Sequence, residues 1–289
     1  MQGIEHKHGA GLQDDIERLL RSAADRRTSL RWLLAGAVAL PVAGYGAGVA
    51  ASEGTLLAST TGSGTSGGTT MGSLGCTAIP EETAGPYPGD GTNSSVGGIA
   101  NALALTGIVR SDIRASIAGA TGVAAGIPLT VRLQLVNVGA SCVPVAGAAV
   151  YLWHCDRAGN YSMYSSGVTG ENYLRGVQEA DSNGVVTFTT VFPGCYAGRM
   201  PHVHFEVYPS VAKATSAANR IKTSQFTFPM ATLNEAYGIS GYETSVRKLA
   251  GISYATDNVF NDGTTLQMAA VTGSAAAGYV ATLSVGVHL

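Results

Sequence analysis

Charge is scarce in this chain of 289 residues, of which 12% are charged where about a quarter is usual. Its 17 Lys and Arg stand against 19 Asp and Glu, with no basic block in the body of the chain, which excludes the electrostatic footprint of a nucleic-acid binder. Sparse charge also leaves little to coat long surface helices. Gly, Ala, Ser, Thr and Val are plentiful instead, a composition that suits short strands and frequent turns. There is no internal repeat. Cysteine is limited to Cys76, Cys142, Cys155 and Cys195, none of them in a Cys-x-x-Cys pair, which argues against a cysteine-held zinc ion. A long uncharged apolar run occurs once, near the N-terminus.

That run, Trp32 to Ser52, "WLLAGAVALPVAGYGAGVAAS", follows Arg26-Arg27-Thr28-Ser29-Leu30-Arg31. Paired arginines before a weakly apolar, Gly- and Ala-rich stretch resemble a twin-arginine export signal, with small residues near positions 47 to 52 as the cleavage site. The competing reading is an uncleaved transmembrane anchor, for which the length is barely sufficient and the Gly and Pro content poor. Residues 1–52 are therefore read as a signal peptide, 53–75 as a Gly/Ser/Thr-rich linker, and 76–289 as one folded domain. The expected location is periplasmic, extracellular or cell-surface, with no stable membrane span after processing. Export makes the cysteines candidates for disulfides. Four allow three pairings; Cys142 and Cys155 flank a predicted turn and could face each other on neighbouring strands, the alternative being four small buried side chains.

Within 76–289, Leu129 to Val138, "LTVRLQLVNV", alternates apolar and polar residues as a half-buried strand does, and Ala148 to Trp153, Val185 to Val191 and Gly278 to Val287 read likewise. Asp181-Ser182-Asn183-Gly184, Pro193-Gly194 and Asp156 to Asn160 carry turn chemistry. One short helix is predicted over Leu233 to Leu249. The fold class expected is all-β, a β-sandwich with long loops and a little helix.

His202 and His204 are two apart, so on a strand both imidazoles leave from one face, close enough to share a metal ion. His6-Lys7-His8 has the same spacing in the leader, and two ordinary strand histidines would show it too. The neighbours add weight. Tyr196 follows a Pro-Gly turn six residues before His202, and Tyr161 follows the turn in "WHCDRAGNY". Either tyrosine taken alone also reads as a core or rim aromatic.

In these residues the chain resembles the intradiol ring-cleavage dioxygenases, and looks closest to their exported branch. The resemblance rests on ordered blocks: "IPEETAGPYPGDG" at Ile79 to Gly91, "GAAVYLWHCDRAGNYS" at Gly147 to Ser162, "YLRGVQEADSNGVVTFTTVFPGCY" at Tyr173 to Tyr196, "GRMPHVHF" at Gly198 to Phe205 and "TSQFTF" at Thr223 to Phe228. It implies the family's β-sandwich and a mononuclear non-haem Fe(III) held by Tyr161, Tyr196, His202 and His204. It also implies cleavage of a small aromatic diol by O2, between its two hydroxyl-bearing carbons, to a cis,cis-muconate-type diacid. Phenolates are hard anionic donors suited to the ferric ion. Tyr196 matches the tyrosine that leaves the metal and takes a substrate proton, Arg199 the arginine that stabilises charge on the activated ring, and Gln225 a pocket glutamine. Arg199 also reads as a salt-bridging surface residue and Gln225 as a polar strand residue.

The chain departs from the family in places. Cys195 stands where many relatives have tryptophan, and the interval from Tyr196 to His202 is shorter than in the cytoplasmic enzymes. Tyr87 resembles a pocket-rim position but serves equally as a packing residue; Trp153 and His154 read as structural. The helical dimerisation segment of the catechol 1,2-dioxygenases is missing, which leaves a homo-oligomer by another route open. The residues leave two other functions open: a non-catalytic exported binding or surface module of the same ancestry, and a zinc or copper site on the two histidines, which leaves both tyrosines unexplained.

Overall fold

The computed structural model describes residues 76–289; the segment read as a signal, 1–52, and the linker, 53–75, lie outside the described residues. In chain order the elements are β1 (Asp90–Ser95), β2 (Gly98–Asn101), β3 (Pro128–Asn137), β4 (Val143–Pro144), β5 (Ala149–Trp153), β6 (Arg175–Glu179), β7 (Val185–Val191), β8 (His202–Tyr208), β9 (Lys222–Thr227), the helices α1 (Met230–Tyr237) and α2 (Glu243–Leu249), then β10 (Ala270–Ser274) and β11 (Gly278–Val287). One sheet runs β10-β11-β3, with β7 and the short β4 both paired to the other edge of β3. Here β3 and β11 are parallel, Leu133 opposite Leu283. The second sheet is antiparallel, in the order β6-β5-β8-β9.

The alternation in β3 sends Leu129, Val131, Leu133 and Leu135 inward, where they share one core with Val150 and Leu152 of β5, Val203, Phe205 and Val207 of β8, and Phe226 of β9. Two sheets packed through such faces form a sandwich, and the all-β expectation holds. The fully buried β8 is informative. Its sequence "HVHFEVY" alternates like a half-exposed strand, yet every residue is buried. The face carrying His202, His204, Glu206 and Tyr208 points away from the sandwich core and is covered by a second cluster, which includes Leu103, Ile108, Tyr151, Trp153 and Tyr161.

Part of that cover is the stretch 79–90, tied along the sandwich by backbone bonds from Ile79 N to Gly286 O and from Glu82 N to Thr223 O, both 2.9 Å. Arg175 of β6, fully buried, holds its far end by donating to the carbonyls of Tyr87 and Pro88 as well as to Ser162 O, Ser162 Oγ and Tyr151 Oη. Among the described residues no helix is long and apolar enough to cross a membrane.

Two expectations are corrected. Cys142 pairs with Cys76, their Cα atoms 5.6 Å apart, and not with Cys155, which is free and buried like Cys195. Cys142 precedes β5 and Cys155 follows it, so a strand of five residues, roughly 17 Å at 3.3–3.4 Å per residue, separates the two. The helix expected over Leu233 to Leu249 is two helices. Gly241, at φ +99°, turns the chain between them, and a side chain there would meet the Arg157 guanidinium.

Candidate metal centre

Strand geometry places the two histidines. His202 and His204, on the covered face of β8, have their Nε2 atoms 3.0 Å apart. His202 Nδ1 donates to the Met200 carbonyl at 2.6 Å, which leaves the lone pair on Nε2. His204 is oriented by Trp153, its cross-strand partner, whose ring stacks on the imidazole at 4.8 Å with 5° between planes. On another side Gly85 comes close: a Cβ there would lie 3.4 Å from His204 Cε1.

The tyrosines come from two turns that pack backbone on backbone. Asp156 closes the first, its Oδ1 accepting from Ala158 N and Asn160 N, both 2.9 Å, so that Tyr161 points inward. Gly159, at φ +91°, faces the Cys195 carbonyl, 2.9 Å from where a Cβ would sit. Gly194 of the second turn donates to Asp156 O at 3.0 Å, and a Cβ on it would lie only 2.5–2.6 Å from the carbonyls of Arg157 and Asp156. Glycine at both positions lets the turns touch. The Tyr161 and Tyr196 rings consequently meet edge-on at 5.6 Å, and Tyr87 packs against Tyr161 at 4.9 Å.

Three polar atoms converge on His202 Nε2: His204 Nε2, Tyr196 Oη at 3.2 Å and Tyr161 Oη at 3.5 Å. Donors bonded at about 2.0–2.1 Å to one ion and separated by 90–110° lie roughly 2.9–3.4 Å from each other, so the four can share a single ion with small adjustments. Neither imidazole is protonated near neutrality: burial, and next the Arg199 charge, push both well below the usual histidine value. Desolvation raises Tyr196 to about 12, against the pull of Arg199, and raises Tyr161 well above its ordinary value, with the Tyr196 phenol adding to the effect. The site is therefore a set of neutral donors whose phenols turn anionic only for a strongly acidifying cation. Among the described residues no group of three or more His, Cys, Asp and Glu side chains is arranged to hold a metal; the tyrosines are what complete this set.

Arg199 lies beside the cluster, its Nη1 3.5 Å from His202 Nε2. Its Nη2 donates to Gln225 Oε1 at 2.6 Å, and Gln225 Nε2 donates to Thr83 O at 2.8 Å, so all six residues singled out in the sequence are brought together. His154 is not available as a ligand, since one ring nitrogen bonds Cys155 O and the other Thr190 Oγ1, at 2.8 and 2.7 Å. Sequence reasoning missed Asp257, which is fully buried and accepts from Arg199 Nε at 3.0 Å, and gave Arg175 no role. Asp257 follows Arg199 by 58 residues, outside the resembling blocks, so no local pattern pointed to it. A shallow surface depression of about 470 Å³ at Asp112, Arg114, Val123, Pro128 and Val191 includes none of these side chains; the cluster is set apart by chemistry, not by a large opening.

The fold itself has known relatives. A family model described as dioxygenase matches residues 111–219. The fold is similar to an intradiol ring-cleavage dioxygenase from Tetranychus urticae, at 26% identity and a TM-score of 0.57 over 74% of this chain and 95% of that one. A second dioxygenase structure matches at 24% identity and a TM-score of 0.56, with the same coverage. The dioxygenase domain of a carbohydrate-binding fusion protein from Streptomyces sp. SirexAA-E matches at 21% and 0.46 over 74% and 99%. No curated protein sequence matches. The described chain is thus a β-sandwich of the dioxygenase class. Its likeness is to the intradiol ring-cleavage dioxygenases.

Proposed function

We propose that the protein is an Fe(III)-dependent intradiol dioxygenase, exported by a twin-arginine-type signal at 1–52, with 76–289 as its catalytic domain, which opens small catechol-type diols to cis,cis-muconate-type diacids. The observation that carries this reading is the convergence of two neutral imidazoles, one buried phenol and one partly exposed phenol on a few ångströms of shared space, with a guanidinium alongside. Tyr161, Tyr196, His202 and His204 would hold the ion. Fe(III) held there would supply Lewis acidity towards the diol oxygens and the redox chemistry with O2.

The chain's own residues do the remainder. Tyr161, buried beneath Tyr87, is the fixed phenol. Tyr196 is partly exposed; as the phenolate it would become on the ion, its Oη would take a proton from an arriving diol hydroxyl. Arg199 presents a cation to negative charge developing on the ring. Gln225 braces it and keeps the guanidinium aimed across the cluster. The covered face of β8 excludes water, which strengthens each of these interactions. A disulfide at Cys76–Cys142 suits an oxidising compartment. The expected partners are the diol and O2, with no nucleic acid.

The test is oxygen consumption by iron-loaded protein given catechol. One O2 per diol, with both atoms of labelled O2 found in the diacid, is expected. Iron-loaded protein that consumes no oxygen with any vicinal diol would instead favour a non-catalytic binding module.

A further inference from the structure

Asp257 sits in the stretch after α2 and divides its carboxylate between two jobs. Oδ1 accepts from the backbone amides of Val259 and Phe260, at 2.8 and 3.1 Å, which closes its own turn. Oδ2 reaches out of that turn to Arg199 Nε at 3.0 Å and to Met200 N at 2.6 Å. The second of these contacts leads to the cluster by another route. Met200 is fully buried and precedes Pro201, which narrows the φ and ψ that link its N–H to its carbonyl; anchoring that N–H on Asp257 therefore also limits the direction of the carbonyl. That carbonyl accepts His202 Nδ1–H, the bond that turns the Nε2 lone pair towards His204, Tyr161 and Tyr196.

We infer that Asp257 is a positioning residue that sets two partners from one carboxylate: the Arg199 guanidinium through its Nε, and the His202 imidazole through the Met200 backbone. The kinetic part of this inference rests on the proposed dioxygenase function; the part concerning His202 does not. The Arg199 fork makes the first route specific. Nε is held by Asp257 and Nη2 by Gln225, so the plane of the guanidinium is fixed at two points, and Arg199 passes over the Phe260 ring at 5.8 Å, a residue whose own amide is held by Asp257. A buried carboxylate serving only its turn would need Oδ1 alone.

Asp257→Asn separates the two jobs. The amide oxygen can keep the bonds to Val259 and Phe260, while an NH2 donor replaces the acceptor that faced Arg199 Nε–H and Met200 N–H. Expected for this variant is an iron affinity about 10–100-fold weaker, the range found when a residue supporting a metal ligand is changed, and a kcat lowered by a similar factor with little change in KM. In an Arg199→Ala background the further effect on kcat should vanish while the loss of iron affinity persists, because the first route runs through Arg199 and the second does not. In metal-free full-length protein labelled with 15N, the Arg199 Nε–H and His202 Nδ1–H signals should exchange slowly in the wild type and rapidly in the variant. Undiminished iron affinity together with unchanged exchange overturns the inference, as does a kcat effect that adds in full to that of Arg199→Ala. Asp257→Ser serves as the second variant; failure of both to fold also overturns it, leaving Asp257 a folding residue. Wild-type protein that binds iron yet oxidises no diol refutes the function, and the affinity and exchange measurements still decide the role of Asp257.

Discussion

Replacing Tyr161 by Phe should change the pH dependence of iron binding by a whole proton. In the metal-free protein the phenols of Tyr161 and Tyr196 are neutral at pH 7, since desolvation has raised both, and the imidazoles of His202 and His204 are neutral as well, since burial has lowered both. Loading with Fe(III) therefore displaces one proton from each phenol and none from the histidines. Affinity must fall as pH falls: two protons return per site, so the protein contributes about a hundredfold, or about 2.7 kcal/mol, for each pH unit between roughly 6.5 and 8. With Tyr161→Phe one phenol remains and the contribution halves to about 1.4 kcal/mol per unit. Hydrolysis of free iron, titration of a competing chelator and any hydroxide bound at the site add to both proteins alike, so the difference between the two slopes is the clean quantity. It is measured by competition against one chelator at several pH values, with a predicted difference of one proton. Equal slopes would mean that Tyr161 is not bound as phenolate.

Other perturbations act on the scaffold. Metal-free protein should lose stability on acidification: buried His154, held at about 4, and His202 and His204, well below 6.5, stay neutral while the unfolded chain takes up protons below pH 6.5. His154 alone accounts for roughly 1.2 kcal/mol lost from pH 6 to pH 5; His202 and His204 act in the same direction, and Glu206, raised to about 7 by burial, offsets part of the loss. The net loss is read from urea midpoints, and an unchanged midpoint would contradict it. Cys142→Ser, which opens a loop of 66 residues, should cost about 4 kcal/mol by loop entropy; equal midpoints with and without reductant would refute this. Arg175→Met removes the donor to the Tyr87, Pro88 and Ser162 carbonyls, of which Pro88 O keeps its bond from Tyr151 Oη, and should cost roughly 1–3 kcal/mol, seen as a lowered thermal midpoint, whereas a midpoint equal to that of the wild type would show that the clamp adds nothing.

What the sequence made legible was local. The alternation in β3 and the His-x-His pair are periodic signals, and periodicity survives into structure wherever one face is buried and the other differs from it. β8 shows the limit of that rule, because its polar face is roofed by a stretch more than a hundred residues earlier in the chain, which no pattern within the strand reports. The meeting of the two tyrosine turns depends on Gly159 facing the Cys195 carbonyl and Gly194 facing those of Asp156 and Arg157, a contact between segments whose glycines look like ordinary turn residues when read singly. Asp257 and Arg175 were opaque for the same reason: each acts on residues distant in sequence. The Cys76–Cys142 bridge likewise follows from where the 76–90 segment is laid across the sandwich and not from cysteine spacing.

The measurement that bears most directly on the four-residue iron site is the visible spectrum of iron-loaded protein. Tyrosinate bound to Fe(III) gives a charge-transfer band, so the loaded protein should be reddish, with a band that weakens in Tyr161→Phe and shifts when catechol is added without oxygen. Protein that holds a full equivalent of iron and stays colourless would contradict the account.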